Sequence, residues 1–234
     1  MYAFQHGIIA SGGGGSATNP LWDGLQAYYT ADNTPNDALD TYNGTLINGA
    51  TYGTGIINQG FDLDGTNDYV DLGNNFDNDG TLPMSYSFWA NFNNVTASRS
   101  IFGKYLSGQI FQGLTLQADS TILFAIQQTF PSNMLRVSTV NTFNVSTWYN
   151  IVVTYDGSKN ASGLKIYING VEATYNIVSD NFTGNSSNSG SFKIGYTFGY
   201  FYGKIDEFSI FNRVLTPTEV TDLYNSGSGL QYPN

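Results

Sequence analysis

The stretch Lys165-Ile166-Tyr167-Ile168-Asn169-Gly170-Val171-Glu172-Ala173 constrains the fold more than any other. Two β-rich runs meet at Asn-Gly, and a two-residue type I′ turn needs φ > 0 at both centres, which this pair tolerates. The same logic recurs along the chain. Residues 85–92 alternate Tyr86, Phe88, Ala90 and Phe92 against Ser85, Ser87, Trp89 and Asn91, the two-residue period of a strand. Residues 121–126, 148–155, 164–168 and 208–211 are further β-rich runs. Phe61 and Leu63 on one side of Asp64-Gly65, and Tyr69, Val70 and Leu72 on the other, mark another strand pair. Asn43-Gly44, Asn48-Gly49, Asp79-Gly80 and Asp156-Gly157 punctuate turns. Many strands at short intervals predict an all-β sandwich of two sheets.

One short helix is expected near the C-terminus. Thr216 can cap it, Pro217 suits its first position, and Glu219 completes a capping box. Val220, Leu223 and Tyr224 form its apolar face, and Gly227 is expected to end it. Residues 1–20 stand apart: a short apolar stretch precedes Gly12-Gly13-Gly14-Gly15-Ser16, a linker composition. The reading divides the chain into an arm and link (1–20), a β domain (21–226) and a tail (227–234).

Composition removes whole classes of function. A net charge of −10 disfavours nucleic acid and anionic lipid as partners, since both need a positive field. The absence of cysteine excludes disulfides, thiol chemistry and thiolate metal sites. The single histidine, His6, lies in the arm, so the β domain holds neither a His-rich zinc site nor a Ser-His-Asp triad. No apolar run approaches the ~20 residues of a membrane-spanning helix. Residues 1–11 contain no Lys or Arg and too short an apolar core for a secretory leader, so export by one is not expected. The six Asn-x-Ser/Thr matches, at Asn43, Asn94, Asn144, Asn160, Asn181 and Asn185, are what an Asn-, Ser- and Thr-rich composition produces by chance.

Seven segments, in order, carry a resemblance. Gly24-Leu25-Gln26-Ala27-Tyr28-Tyr29 is similar to the opening strand of laminin-G-like domains, and Asn43-Gly44-Thr45-Leu46 with Gly49-Ala50-Thr51-Tyr52 to their next segment. Phe61-Asp62-Leu63-Asp64-Gly65-Thr66-Asn67-Asp68-Tyr69-Val70 resembles their most distinctive strand, and Tyr86-Ser87-Phe88-Trp89-Ala90 the one that carries Trp. Residues 148–157, 164–170 and 203–216 resemble the long central strand, its partner and the closing strand before the helix. From Leu21 to Asn225 the chain resembles the laminin-G-like branch of the concanavalin A-like lectin/glucanase superfamily. The resemblance implies a jelly-roll sandwich of two antiparallel sheets. It leaves function open, because one fold hosts many.

Catalytic glucanases of that superfamily carry Glu-x-Asp-x-Glu on one strand. Here Glu172, Glu207 and Glu219 are isolated, and Asp206-Glu207 are neighbours that point to opposite faces if extended, so no enzyme is expected. The resemblance implies a structural calcium at Asp37 and Asp206, with Asp32 and Asp40 contributing from the first loop. The alternative is that Asp32 and Asp37 are turn residues and that Asp206 pairs with Lys204, Arg213 or a backbone amide. Sugar stacking is assigned to Tyr196, Phe198, Tyr200 and Tyr202, which share one side if the strand runs through them; their alternative is core or subunit packing. Phe111, Phe130, Trp89 and Trp148 are assigned to the core.

Gly7-Ile8-Ile9-Ala10-Ser11 resembles the starts of phage virion proteins. The expectation is a non-catalytic virion surface protein: a head decoration, fibre or tail adhesin. Its arm, through Phe4, Ile8 and Ile9, would contact other virion proteins or copies of itself, and its head would bind host glycans. The alternative is a stand-alone carbohydrate-binding module or adhesin, extracellular or at a cell surface.

Overall fold

The computed structural model describes residues 19–106 and 110–233. Phe4, Ile8 and Ile9, assigned above to assembly, lie outside these residues. The strands are β1 (Leu25–Tyr29), β2 (Thr45–Ile47), β3 (Thr51–Thr54), β4 (Gln59–Asp64), β5 (Tyr69–Asp71), β6 (Met84–Phe92), β7 (Arg99–Leu106) and β8 (Ile110–Leu116). They continue as β9 (Ile122–Thr129), β10 (Asn133–Thr139), β11 (Trp148–Tyr155), β12 (Leu164–Ile168), β13 (Val171–Glu172), β14 (Tyr175–Asp180), β15 (Phe192–Ile194) and β16 (Tyr202–Phe211). A single helix, α1 (Pro217–Tyr224), follows. One sheet runs β13-β12-β11-β6-β16-β4-β3, with β1 also on β16; the other runs β14-β10-β9-β8-β7-β15-β5-β2. The two antiparallel sheets pack as an all-β jelly-roll sandwich.

Alternation explains how they meet. Tyr86, Phe88, Ala90 and Phe92 of β6 point into the core between the sheets, where they join Phe102, Phe124, Phe192 and Phe208. Phe88–Phe102 and Phe102–Phe208 are T-shaped at 5.7 and 5.4 Å, while Phe192 stacks on Phe102 at 5.8 Å. The opposite face of β6 is also buried. Trp89 stacks on Tyr224 of α1 at 5.8 Å, and Val220 and Leu223 join Leu21, Val152, Tyr167, Phe211 and Leu215 in a second apolar layer. The β13-to-β3 sheet is therefore the middle of three layers.

The expected hairpin forms at Asn169-Gly170, with φ of 52° and 79° and Ile168 opposite Val171. The capping box of Thr216 and Glu219 is present, with Pro217 in the first turn. The helix ends earlier than Gly227: Asn225 takes the left-handed conformation at φ 46°, and a 3-10 turn carries the chain on to Gly227. Asn is the residue besides glycine that tolerates this conformation most readily. Arg213 locks the layer with a fork to Glu219 (2.9 and 2.6 Å) and a bond to the Leu21 carbonyl at 2.9 Å.

Truncating Leu223 to Ala removes a buried anchor of this layer. Urea unfolding of Leu223→Ala should show a loss of about 2–4 kcal/mol; a loss below the error of the measurement would mean that α1 contributes no packing energy.

Candidate functional site

α1 and its flanking segments cover the outer face of one sheet; among the described residues no helix covers the outer face of the other. On it lies a cleft of ≈ 500 Å³ formed by β7, β8, β9 and β10 and by the loop before β16. Its floor is Phe111, Leu123 and Ala125, an apolar cluster separate from the main core. Gly103 and Gly113 pair directly across β7 and β8. A Cβ at Gly113 would lie 2.3 Å from the Phe102 carbonyl and 3.0 Å from the Phe111 ring; a Cβ at Gly103 would lie 2.9 Å from the same ring. The glycine pair thus lets the ring lie flat over the two strands, as an aromatic does when it covers a glycine in a sheet.

Phe198 forms one wall, packed at 4.7 Å against Tyr105 and 4.9 Å against Phe111. It is 58 % exposed, and Phe130, which also lines the cleft, is 48 % exposed. The loop that carries Phe198 is stapled to β7. Ser100 Oγ accepts from the Phe198 N–H at 3.0 Å, Ser100 N–H donates to the Gly199 carbonyl at 3.0 Å, and Arg99 Nη1 donates to the Tyr200 carbonyl at 2.7 Å. Arg136 of β10 lies over the Phe130 ring at 5.6 Å. Ser98, Thr115, Gln117 and Gln127 add hydrogen-bonding groups to the lining. Exposed aromatic faces beside convergent polar groups, on a sheet that cannot collapse, form a preorganised surface for a ring-shaped polar ligand.

Of the four aromatics assigned to stacking, the structure places Phe198 alone in the cleft. No strand runs through the segment: β15 ends at Ile194 and β16 begins at Tyr202, with Thr197 and Phe201 buried between. Tyr196 and Tyr200 stack on each other at 4.3 Å, with Lys193 5.0 Å over Tyr196, and Tyr202 faces Asp64 at the start of β16. Of the aromatics assigned to the core, Phe111 is buried, in the small cluster under the cleft, whereas Phe130 is exposed at the rim. Trp89 is buried, and Trp148 is half-buried. Arg99 and Arg136 escape the sequence analysis because the signals that place them, one from each of two strands, become a site only through strand pairing.

Three of the four carboxylates assigned to calcium, Asp37, Asp206 and Asp32, accept from backbone amides. Asp37 Oδ1 accepts from the amides of Tyr28 (2.9 Å) and Leu39 (3.1 Å), and its Oδ2 from those of Thr41 (3.2 Å) and Tyr42 (3.1 Å). That fills the four lone-pair positions of a carboxylate. Asp206 Oδ2 accepts from Ile56 and Ile57 at 2.8 and 3.1 Å, and its Oδ1 from Glu207 at 2.8 Å. Asp32 holds the Gln59 amide at 3.0 Å, and Asp40 holds the Asn43 side chain at 3.0 Å. Among the described residues no three His, Cys, Asp or Glu side chains gather as a metal site. Asp37 thus has no lone pair left for a cation, and no role is derived through calcium.

Asp206 and the adjacent Glu207 are both buried, Glu207 at a bulge with φ 51°. Tyr28 hydroxyl donates to Glu207, and Gln231 Nε2 bridges Glu207 (3.3 Å) and Asp32 (3.1 Å). Burial pushes Glu207 from 4.5 to about 8, against the pull of the Gln231 amide. Burial likewise raises Asp206 from 3.8 to about 7, against three backbone amides and with the nearby Asp32 charge adding.

The family model Laminin_G_3, of the concanavalin A-like lectin/glucanases superfamily, matches residues 64–221. No curated protein matches the chain in sequence. Among solved structures, domain 4 of AbnA, a GH43 extracellular arabinanase from Geobacillus stearothermophilus, in complex with arabinotriose, is similar with TM-score 0.58 and 23 % identity; the match covers 85 % of this chain and 97 % of that one. The binding domain of Paraclostridial Mosquitocidal Protein 1 is similar with TM-score 0.71 and 17 % identity over 88 % of this chain and 53 % of that one. The binding domain of botulinum neurotoxin DC, in complex with SialylT, gives TM-score 0.65 and 18 % identity over 92 % and 53 %. The chain thus spans about half the length of these toxin domains. Among the described residues no helix is long and apolar enough to cross a membrane.

The raised carboxyl pKa values fix a direction for stability against pH. Between the ordinary values and about 7 to 8, the folded state holds protons that the unfolded chain has released. The stabilisation these two groups give is full below their ordinary values and is lost as pH rises through about 7 and 8. Urea unfolding should give a free energy that falls from about pH 5 to about pH 8, by at most ~1.4 kcal/mol per pH unit for each proton. Glu207→Gln should flatten the upper part of that fall; a flat wild-type profile would contradict the assignment.

Proposed function

The chain belongs to the laminin-G-like family of the concanavalin A-like lectin/glucanase superfamily, and from that premise we propose that it is a non-catalytic glycan-binding domain whose site is the cleft on the open sheet face. The observation that carries this reading is the pair of exposed rings, Phe198 and Phe130, that both line a ≈ 500 Å³ cleft. Pyranose and furanose rings offer C–H faces to aromatics and hydroxyls to side chains such as Gln117 and Thr115. The arabinotriose and SialylT complexes of the similar domains support a saccharide as the ligand class.

The same cleft argues against hydrolysis. Glycoside cleavage needs an acid and a nucleophile or base from two carboxyl groups, and no Asp or Glu lines it. The adjacent acids Asp206 and Glu207 lie on the other sheet, held by backbone amides, Tyr28 and Gln231. An extracellular or surface setting follows from the ligand class.

The finer reading, attachment to a virion or to a second copy through residues 1–20, is carried by the sequence: Phe4, Ile8 and Ile9 ahead of a glycine run. Light scattering should show the full chain as an oligomer and residues 18–234 as a monomer. Two monomers, together with unchanged incorporation of the shortened chain into particles, would remove this reading.

Phe198→Ala should weaken binding of a glycan identified from a panel roughly five- to thirtyfold, about 1–2 kcal/mol of lost stacking. Titration calorimetry checks it, and the melting temperature should stay within a degree or so because the ring lies outside the core. Unaltered affinity would place the glycan elsewhere on the domain.

A further inference from the structure

The cleft carries charge of one sign. Arg99 and Arg136 both line it, and no Asp or Glu does. The chain has only three arginines and a net charge of −10, so two of the three face a single cleft in an acidic protein. The ion pairs among the described residues are Lys104–Asp77, Lys165–Glu172 and Arg213–Glu219, and neither cleft arginine is in them.

The two arginines differ in what they touch. Arg99 Nη1 is used within the protein, on the carbonyls of Gly65 (3.1 Å) and Tyr200 (2.7 Å), so this side chain braces the wall that bears Phe198. Arg136 rests on the Phe130 ring, its Nε, like that of Arg99, is buried without a hydrogen-bond partner, and among the described residues its guanidinium meets no carboxylate. It stands in the middle of β10, directly opposite Ala125 on the cleft floor. A partly desolvated guanidinium without an acceptor is costly to keep, whereas its planar fork matches a carboxylate in two parallel hydrogen bonds.

We propose that the cleft takes an acidic saccharide, a sugar bearing a carboxylate, with Arg136 donating both arms of its fork to that carboxylate and Phe130 and Phe198 flanking the sugar rings. The inference rests on the glycan-binding reading and narrows it to a ligand class. A neutral sugar would leave the Arg136 charge uncompensated as it displaced water from the cleft, and this sets the sign of the selectivity.

Matched pairs of probes test it: trigalacturonate against its methyl ester, sialyllactose against lactose, and sulfated lactose as a second source of negative charge. Calorimetry with the full chain should show a carboxylated probe binding about tenfold or more tightly than its neutral counterpart. Arg136→Gln should abolish that preference and Arg136→Lys should restore part of it, with both variants showing wild-type melting. Acidic and neutral members binding alike, with amide shifts confined to the cleft, would overturn this inference and leave the glycan reading standing. A preference for the sulfated probe alone would overturn the carboxylate assignment. A broad panel of acidic and neutral saccharides, none of which moves the cleft's amide resonances, would overturn both readings.

Discussion

Everything in this fold depends on the unequal covering of its two sheets. Aromatic side chains fill the space between them: Tyr86, Phe88, Phe102, Phe124, Phe192 and Phe208 belong to one continuous core. With charged residues at only 11 % and apolar residues at 41 %, burial of apolar side chains, aromatic rings among them, is the main source of stability available to the chain. The β6-bearing sheet is buried on its second face too, by α1 and the segment around Leu21 and Leu215. Among the described residues the β8-bearing sheet has no such cover, and its outer face holds the cleft between β7, β8, β9 and β10.

That open face is built to keep its shape. The Gly103–Gly113 pair makes room for the Phe111 ring, and three hydrogen bonds from Ser100 and Arg99 hold the Phe198 loop against β7. A surface already in its binding shape loses little conformational entropy when a ligand arrives. The arginine content of the cleft then stands out, because an acidic chain with three arginines has placed two of them there. Arg213, the third, is satisfied by Glu219 and staples α1 to the sheet below it. The same residue type thus serves packing at one end of the molecule and, in Arg136, remains open to a ligand at the other.

Much of the architecture was legible in the residues. The alternation of β6, the Asn169-Gly170 hairpin and the Thr216–Glu219 capping box are local patterns, and each appears where the pattern places it. The site was far less legible. The strands that build the cleft walls, β7, β8 and β10, are not among the β-rich runs picked out by composition. Arg136 and Phe111 come to line one cleft only after β8, β9 and β10 pair. The segment around Tyr196 to Tyr202 misled in the opposite way: a two-residue period shows in the sequence, but Thr197 and Phe201 turn inward and the chain bends instead of running straight. Asp37 and Asp206 read as metal ligands because a carboxylate that gathers backbone amides and one that gathers a cation occupy the same kind of acidic loop. In the structure both carboxylates gather backbone amides.

The central claim is that the open face of the β8-bearing sheet is the saccharide site. The most direct measurement is amide chemical-shift mapping of the full chain titrated with a glycan identified from a panel. The account predicts shifts centred on β7 to β10 and on the Phe198 loop, with the α1 side of the molecule unmoved. Shifts centred on α1, on the edge strands β3 or β13, or on the Asp37 loop would contradict it.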